Sequence, residues 1–186
     1  MKSNPYADVT KAWLENWVIG FNFCPFALHP YSTDRIQYVV FESTEKTMLP
    51  PVVIEAALSL INNENNRFDT ALIICPFVFD TFMEYWDYSG FIEHLIHAEG
   101  LEGQVQLATF HPDYTFDGVD EDAITNFTNR SPFPVFHLIK EEDVAKARRF
   151  YKDIDQIPDK NIEFLQSQSK EALRNQLRKW QTLDIE

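Results

Sequence analysis

The sequence is short of the patterns that mark the most familiar functional sites. Its five glycines form neither GxGxxG nor a P-loop, and HExxH, CxxC and GxSxG are absent as well. Dinucleotide binding, P-loop chemistry, zinc proteolysis and serine hydrolysis on an elbow therefore find no support. Only two cysteines are present, Cys24 and Cys75, which fits free thiols in a reducing compartment. No apolar run reaches 18 residues and no charged segment leads into an apolar one, so neither a membrane span nor a secretory leader is read. The expected setting is the cytoplasm, where the Asn-x-Ser/Thr triplets at Asn126 and Asn129 are not glycan acceptors.

Positive charge is scarce too, with 16 Lys and Arg against 29 Asp and Glu. Residues 140 to 186 are balanced, and the first 139 hold six basic residues against nineteen acidic ones, which is the whole net charge of −13. An acidic body repels phosphate backbones and anionic lipid, so nucleic acid and membrane surfaces are poor candidate partners. What the chain has in plenty is aromatic residues, sixteen Phe, seven Tyr and four Trp in 186. They serve an aromatic-rich core or a stacking surface for a planar ligand.

Length and periodicity give a single domain over residues 1–186. Val9, Trp13, Trp17 and Phe21 recur at helical spacing, ended by Gly20 and Cys24-Pro25, and a turn is expected at Tyr31–Arg35. Ile36–Phe41 reads as a first strand, Pro50-Pro51 opens a helix that 62–66 should close, and the nearly unbroken apolar run Thr70–Phe79 reads as a central strand. A helix capped by Asp80, with a kink at Ser89-Gly90, leads to a third strand at Val105–Phe110. A fourth strand is expected at Val135–Ile139, with His137 on the face of Val135 and Ile139. Two helices close the chain, over Glu141–Asp153 and roughly Asn161–Trp180, with 158–186 a peripheral C-terminal helix. The fold class is thus α/β, a mixed, mostly parallel sheet of about four strands flanked by helices, with the fourth strand either parallel or antiparallel.

Between the third and fourth strands lies a loop of about twenty residues, which in a compact domain is usually functional. Ligands gather at the carboxyl ends of strands in open α/β sheets, so Cys75-Pro76-Phe77, Asp80 and His111-Pro112-Asp113-Tyr114 should share one rim with this loop. His111 is the acid/base candidate, tuned by a neighbour such as Asp113, or else a histidine capping a turn. Arg130, with Asn129 and Ser131 beside it, suits a carboxylate or phosphate, or else pairs with Asp117, Asp120, Glu121 or Asp122. His137 is a site residue or a buried, hydrogen-bonded one, and Cys24 a nucleophile or a buried thiol. His94 and His97 lie on the polar side of their helix and are read as solvated.

The segments CPFA at 24–27, QLATFHPDYTF at 106–116 and NFTNRSPFPVFHLIKE at 126–141 resemble the family catalogued as domain of unknown function 1415, over nearly the whole chain to about residue 150. The resemblance implies that Cys24, His111, Pro112, Tyr114, Asn126, Asn129, Arg130, Ser131, Pro132, His137 and Glu141 occupy the family's signature positions. Where the family usually has arginine, this chain has Lys140.

The leading expectation is a small enzyme, a hydrolase or group transferase acting on a small anionic metabolite. Arg130, Asn129, Ser131, Asn126 and Tyr114 would hold the anion, and His111, Cys24 and His137 would be the catalytic candidates. One alternative is a metal enzyme using His111, His137 and Cys24 or Asp113. The other is a non-catalytic interaction domain. No cofactor or oligomeric state is legible.

Overall fold

The computed structural model describes residues 4–62, 67–150 and 154–182. Asn4 opens α1 (Pro5–Trp13) by accepting the Tyr6 amide on its side chain, and Pro5 occupies the first turn, where no amide proton is needed. The helix widens into a π-helical turn over Leu14–Ile19. Gly20 ends that turn, where a Cβ would sit 2.6 Å from the Asn16 carbonyl oxygen, so no other residue fits without the backbone moving. The expected turn at Tyr31–Arg35 is partly taken up by a short α2 (Leu28–Ser32), which runs into β1 (Ile36–Val40).

Next come α3 (Leu49–Ile61), β2 (Thr70–Ile74) and α4 (Phe82–Ala98). The expected end of α3 falls at Asn62, and 63–66 lie outside the described residues. Thr81 caps α4 rather than Asp80, accepting the Glu84 amide. The helix passes Ser89-Gly90 unbroken, with the Ser89 hydroxyl satisfied by the Trp86 carbonyl. β3 (Val105–Phe110), β4 (Val135–Lys140) and α5 (Glu141–Phe150) follow. The closing segment is two helices, α6 (Ile157–Gln166) and α7 (Lys170–Gln181), because Ser169 caps a new helix by accepting the Ala172 amide.

The strand order is β1-β2-β4-β3. The expectation of a mostly parallel sheet is corrected here: β1 pairs with β2 in parallel, but β4 lies antiparallel to both β2 and β3. The reason is the long loop. It leaves β3 and returns to the same rim, so the strand it feeds must run back down the sheet. β4 slots between β2 and β3 and separates two strands that point the same way.

Alternate residues feed two cores. Ala71, Ile73, Phe136 and Leu138 face α3 and α4, while Leu72, Ile74 and Val135 face α1, α6 and α7. This explains why the β2 run is apolar without alternation, since both its faces are covered. Ile73 and Ile74 are both fully buried, and each contributes about 1.5–3 kcal/mol by leaving water.

Candidate functional site

The rim of the sheet is formed by the ends of β2 and β3, the start of β4 and the loop of residues 111–134. The neck of that loop is tied by backbone bonds, from His111 N–H to the Asn129 carbonyl at 3.2 Å and from Ser131 N–H to the His111 carbonyl at 3.3 Å. Buried Tyr85 of α4 holds both flanking strands, donating to the Val135 carbonyl (2.7 Å) and accepting the Phe110 amide (3.2 Å). From the opposite layer, Trp13 and Trp17, one turn apart on the first helix, donate their indole N–H groups to the carbonyls of Arg130 (3.0 Å) and Phe127 (3.1 Å). The loop is thus pegged from both sides of the sheet.

Most of the polar residues singled out in the sequence build this loop. Asn126, fully buried, accepts the Phe116 amide and donates to the carbonyls of Asp120 and Glu121. Asn129 donates to the Thr109 carbonyl and Ser131 to the Phe133 carbonyl. His111 is 1% exposed. Its Nδ1 accepts the Asp113 amide at 3.0 Å, which leaves the proton on Nε2, 3.2 Å from the Phe79 carbonyl oxygen that receives it. Burial lowers its pKa, against weaker opposing effects of the Phe79 bond and the Asp113 charge. Both ring nitrogens are therefore engaged by backbone.

Cys24 and His137 lie on the other side of the sheet. The His137 ring packs near Phe110 (6.1 Å) and its Nε2 lies 2.5 Å from the Thr70 hydroxyl. That hydroxyl already donates to the Leu138 carbonyl, so His137 is the donor to it. Burial brings the His137 pKa down to about 4. Cys24 packs against the core under α1, and burial raises its thiol pKa, the opposite of what activates a nucleophile. The convergent metal set considered above does not form, because His111 packs on Tyr85 and Phe82 beside α4 while His137 faces the α1 layer. Among the described residues no three His, Cys, Asp or Glu side chains are grouped to hold a metal ion.

Arg130 and Asp113 open onto a groove of about 1210 Å³. One wall is the start of α4, with Phe82, Met83 and Trp86; the second is the loop from Pro112 to Asp122; the third is α7, with Arg174 and Arg178. Tyr114 is buried behind the first wall, its ring against Phe82 (5.0 Å) and Phe116 (5.0 Å). The Arg130 guanidinium rests on the Phe127 ring at 4.6 Å, and donates to the carbonyls of Glu121 (2.8 Å) and, at longer range, Tyr114 (3.4 Å). The alternative considered for it, an ion pair with Asp117, Asp120, Glu121 or Asp122, is not formed among the described residues, and Asp122 is instead bound by Arg174 and Lys170. Burial lowers the Arg130 pKa, with Asp113 acting in the opposite direction. The α4 and α7 walls were not foreseen from sequence. Phe82 and Trp86 are indistinguishable there from the helix's core stripe, and Arg174 and Arg178 lie in a segment with no loop-like signal.

A family model described as "Protein of unknown function (DUF1415)" matches residues 6–175. No curated protein matches, and no solved structure does.

Proposed function

We propose that this chain, which belongs to the DUF1415 family of proteins of unknown function, binds a small anionic molecule in the rim groove through Arg130. The observation that supports this most directly is the state of that guanidinium. It is half-buried, its partners are carbonyl oxygens, and it forms no ion pair among the described residues. Asp113 and Asp122 favour its charge from a distance without bonding to it, so a partly desolvated guanidinium is stabilised further by an anion in direct contact, and its N–H forks suit a carboxylate or phosphate.

Asn126, Asn129 and Ser131 serve this site as the frame that sets Arg130 in place. The acid/base role is not assigned to His111, whose nitrogens are both occupied. Hydrolysis or group transfer in this groove would need a base near Arg130, and among the carboxylates lining it Asp113 is the one whose amide is fixed by His111. The two free thiols, Cys24 and Cys75, support a reducing, cytoplasmic setting.

The test is titration of the protein with acetate, benzoate, phosphate and pyrophosphate while following the Arg130 Nε–H resonance by NMR. At least one anion is expected to move that resonance saturably, and Arg130→Gln to abolish the binding with the fold retained. If none moves it, the proposal fails.

A further inference from the structure

From the wall facing the arginines we infer that the ligand of this groove carries a flat aromatic ring beside its anionic group, and that the ring stacks on Trp86. The inference rests on the anion site proposed above and extends it. Trp86 is 45% exposed and Met83 is 64% exposed, and both line the groove on the same face of α4, three residues apart. The Trp86 indole is thus presented to the groove, whereas Trp13 and Trp17 are buried completely. Its orientation is set from behind. Phe82 lies 6.0 Å away at a tilt and Tyr114 meets it edge-on at 6.4 Å, so the ring is held upright without its groove side being covered. The backbone carbonyl of that same Tyr114 receives the Arg130 Nε–H, so one residue couples the aromatic wall to the anion-binding cation. Ring and charge are thus presented to a single molecule: a planar aromatic acid, its ring against Trp86 and its carboxylate or phosphate at Arg130.

The experiment compares 2-naphthoate, phenyl phosphate, cyclohexanecarboxylate and inorganic phosphate, followed by the assigned Trp86 indole N–H and Arg130 Nε–H resonances. An aromatic acid is expected to move both resonances and to bind at least ten-fold more tightly than its non-aromatic counterpart. Trp86→Ala is expected to remove that ten-fold advantage while Arg130 still responds to the non-aromatic anions. The preferred arm, naphthoate or phenyl phosphate, separates a carboxylate from a phosphate ligand. If the aromatic and non-aromatic anions bind equally, or Trp86→Ala changes neither, the ring inference is overturned and the anion site stands. If no anion moves Arg130, both fall.

Discussion

His111 donates its Nε2–H to the carbonyl oxygen of Phe79, 3.2 Å away, and Phe79 is held at φ +69°, in the left-handed region that a bulky residue seldom enters. That conformation costs about 1–2 kcal/mol, and the bond is one of the interactions that maintains it. The Phe79 ring supplies others, packing edge-on against Tyr85 at 5.6 Å and Phe136 at 5.7 Å. The histidine therefore joins the segment after β2 to the loop after β3, and sets the two sides of the rim against each other.

His111→Ala should accordingly act on stability first. It leaves the Phe79 carbonyl and the Asp113 amide without partners and opens a cavity beside Tyr85, an expected loss of about 2–4 kcal/mol. Urea unfolding measures it, and a loss under about 0.5 kcal/mol would show that the bond does not hold the rim.

Asn126→Asp separates shape from hydrogen bonding. The carboxylate can still accept the Phe116 amide, but it turns an oxygen toward the carbonyls of Asp120 and Glu121, which now receive a proton from the amide. A buried carboxylate facing two carbonyls is expected to cost about 2–4 kcal/mol. Limited proteolysis should then cut within 115–125 faster than in the wild type. Equal cutting rates would contradict the clamp.

Trp13→Phe tests the peg from the other layer. The substitution keeps most of the ring but deprives the Arg130 carbonyl of its donor, so a loss of about 1–2 kcal/mol is expected. Anion affinity should weaken a few-fold, because the Arg130 backbone is no longer fixed. Unchanged affinity in a variant with a lowered Tm would mean that Arg130 is positioned by its other bonds alone.

The parts of this architecture that were legible in the sequence are those set by local periodicity. The β2 run without alternation implied a strand covered on both faces, and the helical spacing of Trp13 and Trp17 implied one packed face. The position of β4 was not legible, because it depends on the loop returning to the rim it left, and that is decided by bonds such as Tyr85 to Val135 across fifty residues. The candidate site divides the same way. His111, Asn126, Asn129 and Ser131 stood out as polar residues in a long loop, but residue type alone does not tell a side chain bonded to backbone from one aimed at a ligand. Arg130 stood out as a cation in an acidic body, and its surroundings give that contrast a physical basis. Trp86 looked like its core-facing neighbours, since exposure on one side of a helix is a tertiary property.

Thiol reactivity checks the reading of Cys24. Burial raises the pKa of both thiols, so neither is a ready thiolate at neutral pH. With a disulfide reagent at pH 7 the native protein should react much more slowly than the urea-unfolded chain, and partly buried Cys24 should react before buried Cys75. Rapid modification of Cys24 in the folded protein would restore it as a nucleophile.

The pH dependence of stability follows from the two sheltered histidines. His111 has its pKa lowered by burial, and His137 is brought down to about 4. In the unfolded chain both titrate near 6.5. Between these values the unfolded state binds protons that the folded state refuses, so stability is fully present above about pH 6.5 and falls as the pH drops toward 4. For His137 the loss across that interval is at most about 3 kcal/mol, and less to the extent that water reaches the ring. The structural reason lies in its bonding: Nε2 already spends its proton on Thr70, so a second proton must go on Nδ1 within a largely apolar layer. Asp69, held low by its bond to Arg35, loses its contribution only at lower pH than this window. Urea unfolding at pH 7, 6, 5 and 4.5 should therefore show a steady decline. His137→Gln, which keeps an N–H for Thr70 but cannot be protonated there, should flatten that decline. A wild-type profile that stays level from pH 7 to 5 would mean that the two rings do not titrate with unfolding.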